Sequence, residues 1–246
     1  MEQIRLSKKI YRNKRNKDNI IISIEGVHGV GKTTIFNLFK KKVGEKNRKF
    51  KFLPERYVKV PPFPFGSPDK QIAFRSELHF LQQFIKRNQN VTNFVEKYNG
   101  RIIILDRSPL CVLIYSKSLN LKEKDYHLIE DTYNSVKWKE DHMIYLTAEV
   151  DTLLKRIIQR GSLEKIRKEW NEGEKEYILK ILSFYNQFIV PKKEKNKITI
   201  ITTENKTPEQ VLTEIEQVIT ELSGYSFKSL IEEPPKQMNI LKFLQD

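Results

Sequence analysis

The chain has 246 residues, of which 39% are hydrophobic and 11% aromatic, enough for a packed core and too apolar for a disordered chain. Its net charge of +14 suits phosphorylated ligands, nucleic acid or simple solubility, but the basic start of the chain holds a lone aromatic, Tyr11, too little for a base-stacking platform, so nucleic acid is not an expected partner. The single Cys111 excludes an internal disulfide and a Cys-based metal site, no apolar run is long enough to span a bilayer, and the expected compartment is the cytoplasm.

Residues 1–18 carry seven Lys or Arg against two acids and read as a flexible basic arm. The apolar run from Ile20 to Ile24 predicts a buried first strand over 19–25. It leads into Gly26-Val27-His28-Gly29-Val30-Gly31-Lys32-Thr33-Thr34, a G-x-x-x-x-G-K-[ST] pattern followed by a helix from about Thr33 to Val43 that ends at Gly44. The glycines let the backbone turn its N–H groups inward, and the helix directs its positive end at the same anion. Lys32 reaches toward the β- and γ-phosphates of a bound nucleotide, and Thr33 offers a hydroxyl to Mg²⁺. His28 is as consistent with an incidental loop residue as with a phosphate or sugar contact.

A second strand over Phe50–Pro54 runs into Glu55, Arg56 and Tyr57 and a loop rich in Pro and Phe. A long helix follows over about Lys70–Asn88, then an apolar strand from Arg101 to Asp106 continued by Arg107 and Ser108. The remaining pattern predicts helices over Lys122–Val136, Val150–Arg160 and Glu174–Phe188 and strands over His142–Leu146 and Ile198–Ile201. Thr207-Pro208-Glu209-Gln210 reads as a capping box opening a last helix. Beyond Gly224 the chain carries Pro234-Pro235 and has no evident place in a sheet.

Five strands alternating with helices predict an α/β sandwich: a five-stranded parallel sheet with helices on both faces. Ligands of such sheets bind at the carboxyl ends of the strands. That edge collects the phosphate loop, Glu55, and the Asp106–Arg107 pair. Phosphoryl transfer needs cations around the transferring group, a held Mg²⁺ and a group that orients the attacking oxygen. Lys32, Arg107, Arg156 and Arg160 are candidates for the first task, Thr33 and Asp106 for the second (directly or through water), and Glu55 or Asp106 for the third. Tyr57, Phe63 and Phe65 are equally readable as an acceptor-stacking set or as anchors of the Pro-rich loop.

In the order of these parts the chain resembles the deoxynucleoside kinase and thymidylate kinase group of P-loop kinases, over about Asn19–Leu222. The resemblance rests on Ile24-Glu25-Gly26 with Gly31-Lys32-Thr33-Thr34, on Pro54-Glu55, on Asp106-Arg107-Ser108, and on Leu154 to Gly161 with its two arginines. It implies a kinase domain over 19–223, an arginine-bearing lid at about 160–173 and a C-terminal extension over 224–246. It further implies ATP as donor, Mg²⁺ as cofactor, a nucleoside or nucleoside monophosphate as acceptor, and a possible homodimer. Glu55 takes the place of the base that activates the 5′-hydroxyl, and Arg107 that of the arginine at the transferring group. Glu77 stands where deoxynucleoside kinases carry a base-pairing Gln, with Gln82 and Gln83 as alternatives. Arg87-Asn88-Gln89 resembles the thymidylate kinase Arg-x-Gln, whose Arg meets the acceptor phosphate. His28 in place of the loop Asp of thymidylate kinases, and the missing Arg-Glu-Pro-Gly after the second strand, favour a deoxynucleoside acceptor; the alternative is a dTMP kinase. Ser162 stands where the lid would carry another Arg.

Two other classes compete. A GTPase-type switch would need Asn-Lys-x-Asp, and Asn205-Lys206-Thr207-Pro208 lacks the Asp. A catalytically degenerate kinase fold would bind ATP without turning over an acceptor.

Overall fold

The five apolar runs form one all-parallel sheet in the computed structural model, which describes residues 18–44, 46–55, 62–63, 67–159, 174–194 and 197–227. The strands are β1 (Ile20–Gly26), β2 (Phe50–Leu53), β3 (Ile102–Asp106), β4 (His142–Thr147) and β5 (Ile198–Thr202), in the order β2-β3-β1-β4-β5. The register places Ile24 opposite Asp106 on one side and Ile144 on the other. The ends of β1 and β3 therefore lie side by side. All seven residues of β1 are buried, as a central parallel strand covered on both faces requires.

The helices are α1 (Lys32–Val43), α2 (Lys70–Lys97), α3 (Leu110–Ser118), α4 (Glu123–Ser135), α5 (Val150–Gln159), α6 (Lys175–Glu194) and α7 (Pro208–Ser223). Phe39 of α1 meets Phe50 and Phe52 edge-on, with ring centroids 5.7 and 5.2 Å apart. The other sheet face receives α2, where Val91, Phe94 and Val95 cluster with Ile21, Leu53, Ile103 and Leu105. The capping box at Thr207 is formed: its side chain accepts from the Gln210 N–H, and the Gln210 side chain returns to the Thr207 N–H.

Three elements differ from the sequence reading. α2 runs to Lys97 rather than ending near Asn88, because Val91 and its neighbours have a sheet to cover even though the stretch between them is polar. α3 was not expected: eight of its nine residues are buried, so it has no polar face and gives no amphipathic period. α6 continues past Phe188 to Glu194 with Pro191 inside it. Residues 1–17 of the arm, the lid segment 160–173, and 228–246 of the extension lie outside the described residues. No helix among the described residues is long and apolar enough to cross a membrane.

Candidate active site

Two glycines build the phosphate loop, Gly26 because a side chain has no room there and Gly31 because its backbone is left-handed. A Cβ on Gly26 (φ 151°) would stand 2.4 Å from the Leu146 carbonyl oxygen. Gly31 (φ 99°) is the left-handed N-cap of α1, whose first turn contains no acid to neutralise its positive end. Thr33 and Thr34 are exposed in that first turn. Val27 and Val30 are buried and contribute backbone only. Lys32 folds back over the loop, donating from Nζ to the carbonyls of Gly26 (2.6 Å) and Val27 (2.9 Å). Burial, with Arg107 nearby, pushes its pKa down to about 7 against the pull of Glu25, Glu55 and Asp106.

At the neighbouring strand ends, Glu55 and Arg107 form an ion pair, Oε1 to Nε 2.7 Å, with side chains 26% and 18% exposed. Both are thus open to a ligand while holding each other. Arg107 adopts φ 65°, an uncommon conformation for a residue other than glycine. The turn is held from several sides. The Arg107 N–H donates to the Ile24 carbonyl (3.0 Å), and the Ser108 N–H to Glu25 Oε2 (2.7 Å). Arg87 donates to the carbonyls of Asp106 (2.5 Å) and Arg107 (2.7 Å), and more distantly to Pro54 (3.4 Å). Burial works against the charge of Arg107, but Glu55, Tyr115 and Glu25 hold it more firmly protonated than an ordinary arginine. Burial and Glu55 push the Asp106 carboxyl up.

Arg87 is therefore reassigned. Its guanidinium is buried, lies 4.7 Å from the Phe84 ring, and is spent on the backbone that carries Glu55 and Arg107. It positions the site rather than presenting itself to an acceptor phosphate. Gln82 is exposed and leaves the candidate acceptor set. Glu77 stays in it: it is 1% exposed, its Oε1 has no hydrogen-bond partner among the described residues, and the charged groups acting on it are Arg107 and Glu55. Burial raises its pKa well above the ordinary glutamate range and so favours the neutral acid, whose O–H donates beside a C=O acceptor. His28 is buried, its Nδ1 3.3 Å from the Tyr115 hydroxyl and its ring stacked 6.2 Å from Tyr177, so its side chain turns inward.

Arg156 does not stand with Glu55 and Arg107. Its guanidinium donates to the Thr203 hydroxyl and carbonyl, each at 2.8 Å. Together with Gly29, Thr34, Lys206 and Pro208 it lines a cavity of about 340 Å³ on the outer flank of the phosphate loop. Arg160 and Tyr57 fall outside the described residues. Thr33 and Asp106 supply hard oxygen donors of the kind Mg²⁺ takes, and the described residues contain no group of three or more metal-binding side chains. A metal here would draw its other ligands from phosphate and water. Glu25, Tyr115 and Tyr185 were missed as site residues. The signal for Glu25 was an acid set inside an otherwise apolar strand directly before Gly26.

The deoxynucleoside kinase family profile matches residues 22–222. The chain is 28% identical to a deoxyguanosine kinase of Bacillus subtilis over 201 residues, covering 78% of this chain and 89% of that protein. It is 24% identical to a probable thymidylate kinase of Archaeoglobus fulgidus over 202 residues, covering 81% and 94%. A solved deoxyadenosine kinase of M. mycoides, with dCMP and a flexible dCDP bound, has a TM-score of 0.63 at 25% identity, covering 84% of this chain and 100% of that one. A thymidylate kinase of Candida albicans, at 18% identity and TM-score 0.61, covers 82% and 92% and shares the fold.

Proposed function

Because the chain belongs to the deoxynucleoside kinase family, and is thus a phosphotransferase, we propose that it transfers the γ-phosphate of ATP to the 5′-hydroxyl of a deoxynucleoside. One observation carries this reading. The Glu55 carboxylate and the Arg107 guanidinium meet at 2.7 Å beside the phosphate loop, a proton acceptor and a charge stabiliser arranged as one unit. The backbone N–H groups of the loop and Lys32 would hold the triphosphate, and the cavity beside Arg156 and Thr203 would receive the donor's base. Glu55 would take the hydroxyl proton as Arg107 meets the transferring oxygens. Thr33 and Asp106 would hold Mg²⁺, which neutralises phosphate charge when bound. Glu77 would face the acceptor. Arg160 and the lid segment would close over the site, and Tyr57 would stack on the acceptor from the Pro-rich loop.

The commitment of Arg87 to backbone carbonyls speaks for a nucleoside rather than a monophosphate acceptor. Incubation with ATP, Mg²⁺ and a panel of deoxynucleosides and monophosphates, with products identified by mass, tests this. The expected products are a deoxynucleoside 5′-monophosphate and ADP. Formation of dTDP from dTMP as the sole reaction would move the protein to the thymidylate kinase reading, and ADP without any acceptor would contradict both.

A further inference from the structure

Glu25 lies at the end of β1, fully buried, and every partner the structure gives it is a donor. Oε1 accepts from the Gly26 N–H at 2.7 Å and from the Tyr185 hydroxyl at 2.9 Å, and Oε2 from the Ser108 N–H at 2.7 Å. Arg107 Nη1 stands 3.9 Å away. A carboxylic acid could place its proton only on the Tyr185 hydroxyl, which would then have to turn its own proton to the more distant Gly26 carbonyl, whereas a carboxylate, which only accepts, fits all four as they stand. These partners belong to three different parts: the start of the phosphate loop, the turn that aims Arg107, and helix α6. Tyr185 is itself buried, its ring 5.0 Å from that of Tyr145, and its hydroxyl also lies 3.5 Å from the Gly26 carbonyl that receives Lys32. α6 touches the loop a second time where Tyr177 stacks on His28.

We infer that Glu25 is a positioning residue that locks the phosphate loop and the Arg107 turn into one unit, and that the Tyr185 hydroxyl makes the placement of α6 part of that lock. Glu25 touches no substrate and acts through Gly26, Ser108 and Arg107. The ionised form is the working one. Burial opposes it and holds the Glu25 pKa above the ordinary glutamate value, while Arg107, Lys32 and the two backbone N–H groups offset part of that rise. The other titratable groups facing Glu25 are Cys111 and Tyr115 of α3, Tyr145 of β4 and Tyr185 of α6. Protonating Glu25 would break the lock, so the rate should fall on the acid side.

The role of the lock in turnover rests on the kinase reading. Tyr185→Phe keeps the ring and removes only the hydroxyl. It should lower kcat about tenfold, the scale of one lost hydrogen bond, with KM for ATP changed by less than about twofold. Its acid limb should move to higher pH, because a donor to the ionised carboxylate is gone. The Gly26 and Ser108 amide protons should exchange faster by NMR. Glu25→Gln should lower kcat by about 10² and leave the acid limb insensitive to Tyr185→Phe, which added to it should cost less than about twofold more. A Tyr185→Phe enzyme with wild-type kcat, acid limb and amide exchange would overturn the inference. So would a tenfold loss multiplied unchanged onto Glu25→Gln. If Glu25→Gln does not fold, Tyr185→Phe decides alone. A wild type that phosphorylates no deoxynucleoside would defeat the kinase reading instead, and amide exchange would still judge the Tyr185–Glu25 link.

Discussion

The two halves of the site are finished to different degrees. On the phosphate side, around Gly26, Lys32, Glu25 and Arg107, the buried polar groups described above are paired, and an uncommon backbone conformation at Arg107 is held by bonds from β1 and α2. On α2, whose Glu77 feels Arg107 and Glu55, the atoms Ser76 Oγ, Glu77 Oε1 and Gln83 Oε1 are buried and without a hydrogen-bond partner among the described residues. Buried polar atoms are costly to leave unpaired, so such a set marks where a ligand completes the structure. On the proposed function, the contrast means that the transfer machinery is prebuilt, while an acceptor bound against α2 would supply the missing bonds.

The hardest blow to the prebuilt side is Lys32→Met, which should cut turnover by about 10³ or more while leaving the protein folded. The same variant sharpens the charge argument. Free Lys32 has a pKa of about 7, and a triphosphate would restore its proton. ATP binding above neutral pH should therefore take up about one proton and weaken as pH rises. Calorimetry in buffers of different ionisation enthalpy reads this uptake, and Lys32→Met should abolish it. Glu55→Gln should lower kcat by about 10²-fold with ATP affinity nearly unchanged. An unchanged kcat would remove Glu55 from the chemistry.

Arg87→Met tests whether α2 supports the strand ends or reads an acceptor. Leaving buried carbonyls without their donor should cost about 2–3 kcal/mol of stability, visible as a lowered urea midpoint, together with loss of activity toward every acceptor. A variant of normal stability that fails only with monophosphates would restore the thymidylate kinase role to Arg87.

The mildest change falls on the open side. Glu77→Gln keeps a donor beside an acceptor and should alter kcat/KM by no more than about threefold at neutral pH. Its effect on stability has a definite sign. The folded pKa of Glu77 is raised, so in the wild type its contribution is fully present below the ordinary glutamate range and is lost as pH rises through the folded value. The melting temperature of Glu77→Gln should therefore gain on the wild type as pH increases. A gap that stays constant with pH would mean Glu77 is ionised in the fold.

The same division explains what was legible in the sequence. Strands, the phosphate loop, Glu55 and the Asp106–Arg107 pair follow from apolar runs that end in chemistry, and the sheet brings them to one edge. α3 escaped because a helix buried on nearly every side has no period to detect. The acceptor face of α2 was blurred for a different reason: Glu77, Gln82 and Gln83 are near neighbours on one helix, and only packing decides that Glu77 is inside and Gln82 outside. Arg87 reads as a ligand contact through the resemblance of Arg87-Asn88-Gln89 to the thymidylate kinase Arg-x-Gln, and no sequence pattern shows that backbone carbonyls occupy its guanidinium. The bonds of Arg156 are not legible from its position, since its partner Thr203 follows β5, far along the chain.

The most direct test of the central claim compares ADP release with a deoxynucleoside and with its 5′-deoxy counterpart, at saturating ATP and Mg²⁺. The account predicts one ADP per deoxynucleoside monophosphate formed, and no release above background when the 5′-hydroxyl is missing. ADP release that is the same with either compound would contradict it.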